Sequence, residues 1–341
     1  MANRKLNYLI IIAIAAVFLW FFFKSVNWNE TWQYLKQVKP AYMVLTLLLV
    51  PLHLLTRSIR WKFLLKPLKS ELKLGNAFAA NTIGFTVTLI FPGRVGELVR
   101  PVYLAQKEKL SPGYLIGTIV VERAFDIFVM CFLLGFFLLI RPFYGSFLQA
   151  RPEAYINLFF WGKVGLGLSG LLFLVILGIY MLKDRASKVI SYLTRPFPDK
   201  ISNKIMTFGL EFIEGLRFFH SFFRLIGYFF LSMMVWLGIC FFYWVFFLAY
   251  DLKVPFVLSI PYVFLTMVGA SIPTPGMAGG FDYFSKLGFT SIYGLDPNLA
   301  VGMTIVIHSL QILMTCTLGY VILWKNGLSL FQVKKLSEGK N

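Results

Sequence analysis

The sequence predicts an all-α polytopic membrane protein with about six full spans and two Gly/Pro-broken re-entrant hairpins, arranged as an inverted-topology repeat. Composition is the first reason: 58% of the 341 residues are hydrophobic and only 14% are charged, whereas soluble chains carry about 25% charged residues. The second reason is the recurrence of bilayer-length apolar stretches. The third is that two further stretches break at the same Pro-Gly pattern.

A helix that crosses the hydrocarbon core needs about 20 mainly apolar residues. The first such stretch follows Arg4 and Lys5, is longer than a usual signal-peptide core and has no small-residue cleavage site after it, so we interpret it as an uncleaved span. The stretches interpreted as full spans are 6–23, 41–56, 116–140, 157–182, 225–249 and 299–324.

Two other apolar stretches, 74–91 and 255–272, run into Pro/Gly-rich breaks and continue as weaker, partly polar stretches. The breaks share the pattern P-G-x-x-G, which starts at Pro92 and again at Pro275. They are either ordinary spans followed by loops or re-entrant hairpins, over about 74–110 and 255–292, that enter and leave on one side.

Charge bias favours the re-entrant arrangement, because Lys and Arg are enriched in cytoplasmic loops. With a cytoplasmic N-terminus and two re-entrant hairpins, 22 Lys and Arg residues lie on the inner side and 6 on the outer side. The inner loop after the second span includes Arg57 and Arg60 in this count. Full-span alternatives place the basic 183–224 loop or the C-terminal tail outside.

The second half of the chain repeats the order of segments in the first half, with the opposite orientation across the membrane. This predicts a first membrane repeat over 1–150, a second over 151–325 and a basic cytoplasmic tail over 326–341, with both termini cytoplasmic. The segment 183–224 carries apolar residues at helical spacing. It is interpreted as an amphipathic helix, centred on 199–220, that lies on anionic lipid or packs against neighbouring loops.

The first break carries charges where lipid is expected. Glycines let the backbone approach a ligand, a helix start near Gly96 presents free N–H groups, and Arg94 and Arg100 have forked donors that suit phosphate. This predicts an anion site, although an interfacial loop in which Arg94 pairs with Glu97 is the alternative. The residues assigned to headgroup binding are Asn81, Pro92, Gly93, Arg94, Gly96, Glu97 and Arg100.

A second charged cluster lies in the span that follows. Glu122 and Asp126 are four residues apart and so share one helix face, with Arg123 beside them. Carboxylates at this depth need partners, which we expect among Arg94, Arg100 and Arg123. The cluster is either a bracing ion-pair network or a site of proton or cation coupling.

The second break is nearly uncharged, with Asp282 just after its glycines and Lys286 four residues on. The contrast suggests a headgroup at the first hairpin and a lipid tail beside the second. The second-hairpin residues singled out are Pro273, Pro275, Gly276, Gly279, Gly280 and Asp282.

Other chemistry finds little support in the sequence. The three cysteines and three histidines are scattered without metal-ligand spacing, and no nucleotide motif is present, so neither a metal nor a cofactor is predicted. The net charge of +18 comes from residues that flank the spans. Membrane lipids, anionic or phosphate-bearing, are therefore the expected partners rather than nucleic acid.

The combined motifs resemble the lysyl-phosphatidylglycerol synthase transmembrane-region family, also called flippase-like or UPF0104-type, over about residues 5–325. The run that carries the resemblance is Asn81, Pro92-Gly93-Arg94-x-Gly96-Glu97-x-x-Arg100, Glu122-Arg123-x-x-Asp126 and Pro273-x-Pro275-Gly276-x-x-Gly279-x-x-Asp282. The resemblance implies a polytopic inner-membrane protein associated with moving or handling lipids and lipid-linked sugars.

Two departures from the family pattern qualify that implication. Multidomain synthases carry a soluble aminoacyltransferase domain after the membrane part; this chain stops at Asn341, so that activity is expected to be absent. The usual second break reads P-G-G-x-G and then a Glu, whereas here Met277 replaces a glycine and Asp282 takes the acidic position.

The sequence therefore predicts a lipid flippase or transporter that binds an anionic headgroup at the hairpins. Two alternatives stay open. One is an intramembrane enzyme that uses Glu122 or Asp126 in acid/base work on a lipid phosphate. The other is a non-transporting accessory protein that recruits partners through 183–224.

Overall fold

The computed structural model describes residues 2–24, 26–140 and 221–337, with isolated positions between 141 and 220. Over these residues the chain is helical, with short 3-10 turns between some of the helices. The helices, numbered in chain order, are α1 (Ala2–Phe23), α2 (Trp28–Lys36), α3 (Pro40–Leu65), α4 (Leu74–Ile90), α5 (Gly96–Glu108), α6 (Pro112–Leu139), α7 (Phe222–Ala249), α8 (Ser259–Ser271), α9 (Gly280–Tyr293), α10 (Pro297–Lys325) and α11 (Leu330–Ser337).

Among the described residues, α3, α7 and α10 are long and apolar enough to cross a membrane, and α1 with α2, bent by 82°, would add a fourth span. The predicted spans 6–23, 41–56, 116–140, 225–249 and 299–324 fall on α1, α3, α6, α7 and α10. The predicted span 157–182 and the amphipathic stripe 201–219 lie outside the described residues, isolated positions apart.

Helix α3 corrects one prediction. It continues to Leu65, so Arg57 and Arg60, assigned above to a cytoplasmic loop, lie inside the helix and are buried. The reason is helical periodicity: the two arginines extend the buried face that Val50 and Leu54 begin. That face turns them towards α6.

The helices α4 and α5 form the first hairpin, joined through the first break, a 3-10 turn over Pro92–Arg94. The two helices touch through glycine. A Cβ on Gly96 would lie 1.9 Å from the carbonyl oxygen of Gly84 and 2.3 Å from Thr88 Oγ1. Any larger residue at position 96 would push the helices apart.

The helices α8 and α9 form the second hairpin, joined through the second break over Pro275–Met277. Here a Cβ on Gly269 would lie 2.5 Å from the carbonyl oxygen of Gly280, and a Cβ on Gly280 would lie equally close to the carbonyl oxygen of Gly269. Both hairpins are thus closed by backbone contact between glycines on their two arms.

Two apolar cores hold the hairpins in place. One surrounds the second hairpin with residues of α7 and α10, and includes a cluster of aromatic rings in which Phe247 and Tyr262 meet edge to face. The other packs α3 and α6 against the first hairpin around Trp61. The carboxylates Glu122 and Asp126 lie on the face of α6 that meets α3 and α5.

Candidate functional site

The two breaks touch each other. The backbone N–H of Gly93 donates to the carbonyl oxygen of Pro273 at 3.2 Å, and Arg94 Nη1 lies 3.4 Å from the carbonyl oxygen of Ser271. A Cβ on Gly276 would lie 3.2 Å from the carbonyl oxygen of Leu89. Residues far apart in sequence therefore form one junction.

The local backbone of the two breaks is alike. Gly93 and Gly276 have φ of 81° and 61°, in the left-handed region that glycine adopts readily. Each is followed by a non-glycine residue that is also left-handed, Arg94 at 55° and Met277 at 59°. The Pro-Gly pattern thus builds the same sharp turn twice, and the first turn directs Arg94 towards the second hairpin.

Beside this junction, α6 carries two fully buried or nearly buried carboxylates that bind arginines of neighbouring helices. Arg60 Nη1 lies 2.6 Å from Asp126 Oδ1, and its Nη2 lies 3.1 Å from Glu122 Oε1. Trp236 on α7 donates its indole N–H to Asp126 at 3.0 Å. The carboxylates therefore tie α3, α6 and α7 together.

Arg100 of the first hairpin binds Glu122 through both of its terminal nitrogens. Its Nη1 lies 3.0 Å from Oε1, and its Nη2 binds Oε2. The guanidinium carbon also lies 4.0 Å from the ring centroid of Trp61. Paired with a carboxylate and stacked on an aromatic ring, Arg100 is held in one orientation.

Arg123 extends the network outwards. Its Nη2 lies 2.7 Å from Glu122 Oε1 and 3.1 Å from Asp126 Oδ2, while its side chain remains 32% exposed. It also interacts electrostatically with Glu97 and with Arg94. Arg123 therefore links the buried carboxylates to the accessible side of the site.

Arg94 and Glu97 form that accessible side. They pair with each other at 2.8 Å, with side chains 29% and 36% exposed. Of the partners expected for the α6 carboxylates, Arg100 and Arg123 are found among the described residues, whereas Arg94 takes the alternative partner Glu97. The predicted headgroup residues thus separate into an accessible rim, with Arg94 and Glu97, and a buried floor, with Arg100.

Asn81 belongs to the floor as well. It is buried on α4 and donates to Ser58 Oγ on α3 at 2.8 Å. Within the described residues its side-chain oxygen makes no hydrogen bond. Asn81 therefore braces the first hairpin against α3.

Sequence reasoning missed two arginines of the site, Arg57 and Arg60. Arg57 donates from Nε to His53 Nε2 at 2.8 Å and packs over the ring of Phe85. Its Nη1 is buried with no hydrogen-bond partner among the described residues. Their spacing continues the buried stripe of α3, and this spacing could have identified them. Because the segment was assigned to a loop, the spacing was not used.

The second hairpin holds a separate polar pair. Asp282 is buried, accepts from the backbone N–H of Gly279 at 2.8 Å, and lies 2.7 Å from His308 Nδ1 on α10. Lys286 does not join this pair; it donates to the carbonyl oxygen of Phe22 at 2.8 Å. His308 was not singled out in the sequence because it stands alone in an apolar helix.

Charge is unbalanced on the first-hairpin side of the junction. Five arginines face three carboxylates, which leaves two excess positive charges. The arginines are Arg57, Arg60, Arg94, Arg100 and Arg123, and the carboxylates are Glu97, Glu122 and Asp126. Over the described part of the chain, no three His, Cys, Asp or Glu side chains are grouped as a metal site requires.

Long apolar helices and charged groups buried between them define an α-helical, multi-pass membrane protein. Residues 8–319 match the family described as lysylphosphatidylglycerol synthase TM region. The chain belongs to this family. It is also similar to the UPF0104 membrane protein MJ1595 of Methanocaldococcus jannaschii, at 24% identity over 322 residues, which cover 92% of this chain and 93% of that protein.

Proposed function

We propose that this protein is a lipid transporter of the flippase kind, which binds an anionic, phosphate-bearing lipid or lipid-linked headgroup where the two breaks meet. The observation that carries the proposal is the excess positive charge at that junction, with Arg94 and Arg123 still partly exposed. Uncompensated charge inside a membrane protein typically marks a substrate or ion pathway.

A phosphate group fits the chemistry of the rim. Guanidinium groups bind phosphate oxygens through two parallel hydrogen bonds. The Arg94–Glu97 pair is partly exposed, and such pairs contribute only about 0–1 kcal/mol. An arriving phosphate can therefore displace Glu97 from Arg94 at little cost, and the two excess charges favour a headgroup of one or two negative charges.

The floor residues have a supporting role in this proposal. Arg100 already donates to both oxygens of Glu122, so we place it as a residue that positions the site rather than one that binds the headgroup. Glu122 and Asp126 hold Arg60, Arg100 and Arg123 in place. The spare donor on Arg57 offers a second, deeper anion contact.

We place the junction near the bilayer midplane, with both hairpins re-entrant, the two halves related as an inverted-topology repeat, and both termini cytoplasmic in the inner membrane. Transporters built from such repeats bind substrate at Gly/Pro-interrupted segments near the midplane. The matching left-handed turns and the glycine contacts that close both hairpins support this arrangement.

The test is lipid movement in proteoliposomes that contain fluorescently labelled phosphatidylglycerol, followed by chemical quenching of the outer leaflet. Arg94→Ala and Arg123→Ala should each slow movement about tenfold or more, because a hydrogen bond to a charged group contributes about 1.5–3 kcal/mol. Lys39→Ala is the matched control, since Lys39 pairs with Asp251 on the exposed surface. Wild-type rates in both folded arginine variants would refute the site.

The same vesicles separate transport from chemistry. A transporter returns the labelled phosphatidylglycerol unaltered, whereas an enzyme acting on the lipid phosphate changes its mass. We expect the mass spectrum of the extracted lipid to be unchanged after incubation. A new lipid species that disappears in Glu122→Gln would favour the enzyme instead.

A further inference from the structure

The hydrogen bonds of His308 require a proton to be shared with Asp282. His308 Nε2 lies 2.9 Å from the carbonyl oxygen of Gly276, and a carbonyl only accepts, so Nε2 carries a hydrogen. His308 Nδ1 lies 2.7 Å from Asp282 Oδ1. That contact needs a second hydrogen, on Nδ1 or on the carboxyl oxygen. The pair therefore holds one proton more than a neutral imidazole and an ionised carboxylate.

Loss of that proton breaks one of two contacts. A neutral imidazole has a single N–H, which satisfies either Asp282 or the carbonyl oxygen of Gly276 but not both. The other contact then sets two lone pairs against each other at hydrogen-bond distance. An N–H donates more strongly to an ionised carboxylate than to a carbonyl, so the single hydrogen goes to Asp282 and the contact with Gly276 is the one that is lost. Gly276 stands inside the second break, with φ of 61°, so loss of the proton removes this hydrogen bond between α10 and the break.

The break that His308 holds is the one that touches the first hairpin. Pro273 and Ser271 receive the contacts from Gly93 and Arg94, and Asp282 holds Gly279 at the start of α9. The contacts of His308 with the second break therefore lie within a few residues of the contacts with Gly93 and Arg94. A change in the hydrogen bonds of His308 can thus alter the junction and the position of Arg94.

The charged and titratable groups named here, on the helices around the pair, have partners of their own. On α9, Lys286 is turned to the carbonyl oxygen of Phe22, and the neighbouring Tyr283 packs against Phe18. On α8, Tyr262 bonds Ser285. In sequence α4, α8 and the second break have no Asp, Glu, Lys or Arg, and α10 has none before Lys325. Helix α3 also packs against α10, and its His53, Arg57 and Arg60 bind each other or the α6 carboxylates. On α2, Glu30 bonds Asn298 at the start of α10. Across the junction, Arg94 contacts the second hairpin, and its guanidinium is paired with Glu97.

We infer that Asp282 and His308 form a proton-binding site that couples a proton gradient to headgroup movement at the junction. The inference rests on the proposed lipid transport. It assigns coupling to the second hairpin rather than to Glu122 and Asp126, because those carboxylates are each bound by arginines. Protonated, the pair holds the second break; deprotonated, it releases the break and the contact with the first hairpin.

The first test observes the proton itself. In reconstituted protein with 15N-labelled histidine, the His308 ring signals, assigned by their loss in His308→Gln, should change as the pH is raised and the shared proton leaves. In Asp282→Asn the amide N–H can donate to Nδ1 of a neutral imidazole, so both contacts are made without the shared proton. The signals should then stay the same over the pH range in which those of the wild type change. Wild-type signals that do not change with pH, or an Asp282→Asn variant that titrates as the wild type does, would overturn the proton site.

The second test is transport under a pH gradient imposed on vesicles that contain fluorescently labelled phosphatidylglycerol. The wild type should drive the label to one leaflet, and in Asp282→Asn the leaflet ratio should fall back to one. Asp296→Asn is the matched control, because this cap of α10 lies outside the site and Asn keeps its hydrogen bonds. A gradient response in Asp282→Asn equal to that of the wild type would refute coupling.

The two tests distinguish failure of the proposed transport from failure of the proposed coupling. If the wild type moves no lipid under any condition while His308 titrates as described, the proposed transport is wrong and the proton site stands. If lipid moves but its leaflet ratio in the wild type ignores the gradient, transport stands and the coupling is wrong.

Discussion

The backbone N–H of Gly93 lies 3.2 Å from the carbonyl oxygen of Pro273, which joins the breaks of two hairpins from opposite halves of the chain. Around that contact stand Arg94, partly exposed, and a network of arginines and carboxylates buried between α3, α5 and α6. The junction thus combines irregular backbone with charge, a combination that membrane proteins tolerate where it lines a site.

Glu122→Ala should destabilise the protein severely, because it leaves Arg100 buried without its carboxylate and removes one of the two carboxylates that bind Arg60. Removing one partner of a buried ion pair lowers the free energy of unfolding by about 3–5 kcal/mol. Thermal unfolding in detergent measures the loss. Glu97→Ala is the control, since its partly exposed pair contributes about 0–1 kcal/mol. Equal melting temperatures for the two variants would contradict the buried network.

Gly96→Ala should open the first hairpin, because its Cβ would meet the carbonyl oxygen of Gly84 at 1.9 Å. The expected result is a lower melting temperature and impaired lipid movement. Gly75→Ala on the same hairpin is the control: nothing lies within 4 Å of its Cβ, and alanine favours a helix by up to about 1 kcal/mol. A Gly96→Ala protein as stable as Gly75→Ala would show that the arms are not closely packed.

Gly319→Ala should weaken the contact of α10 with α4, since the new Cβ would lie 2.0 Å from Thr86 Oγ1. Thr86→Gly in the same protein removes the obstacle. The double variant should therefore be less destabilised than the sum of the two single variants, as contacting residues show interaction energies of about 0.5–3 kcal/mol. If the losses in unfolding free energy of the two single variants simply added in the double variant, α4 and α10 would not be in contact at these positions.

Glu108 at the end of α5 should make stability depend on pH. Partial burial acts against its ionisation, but hydrogen bonds from Asn76 and Lys69 and the charge of Lys69 outweigh it and hold the pKa of Glu108 below its ordinary value. A lowered pKa in the folded state stabilises the protein above the unfolded pKa of about 4.3, and this stabilisation is lost as the pH falls.

Thermal unfolding of the wild type and Glu108→Gln across that pH range measures the effect. The wild type should be the more stable protein near pH 7, and the difference should shrink as the medium is made acidic. Lys69→Met should reduce the same difference. A gap between wild type and Glu108→Gln that is constant with pH would contradict the pairing.

Apolar length alone located the helices α6, α7 and α10 closely, although it ended α3 too early, before Arg57 and Arg60. The predicted stretches 116–140 and 225–249 differ by only a few residues from α6 and α7, because long apolar runs have no stable alternative to a helix in lipid. The Pro-Gly breaks were located equally well. Proline and glycine at these positions interrupt a helix whatever surrounds them.

The partners of the charged residues depended on packing that the sequence does not display. Arg60 was placed in a loop since charge was taken as the end of a span, yet burial against Asp126 lets α3 carry it inside. His308 and Asp282 lie on different helices, and no local pattern links them. For Arg94 the sequence left two partners open, the α6 carboxylates or Glu97, and the left-handed turn at Gly93 directs it to Glu97 and Ser271.

The central claim, that one headgroup is bound where the two breaks meet, is tested most directly by locating a bound lipid in a cryo-EM map. The protein would be imaged in nanodiscs that contain phosphatidylglycerol. We expect phosphate density within hydrogen-bonding distance of the Arg94 and Arg123 guanidinium groups, beside Gly93 and Pro273. A map with these side chains resolved, no density between them and a headgroup ordered elsewhere would contradict the claim.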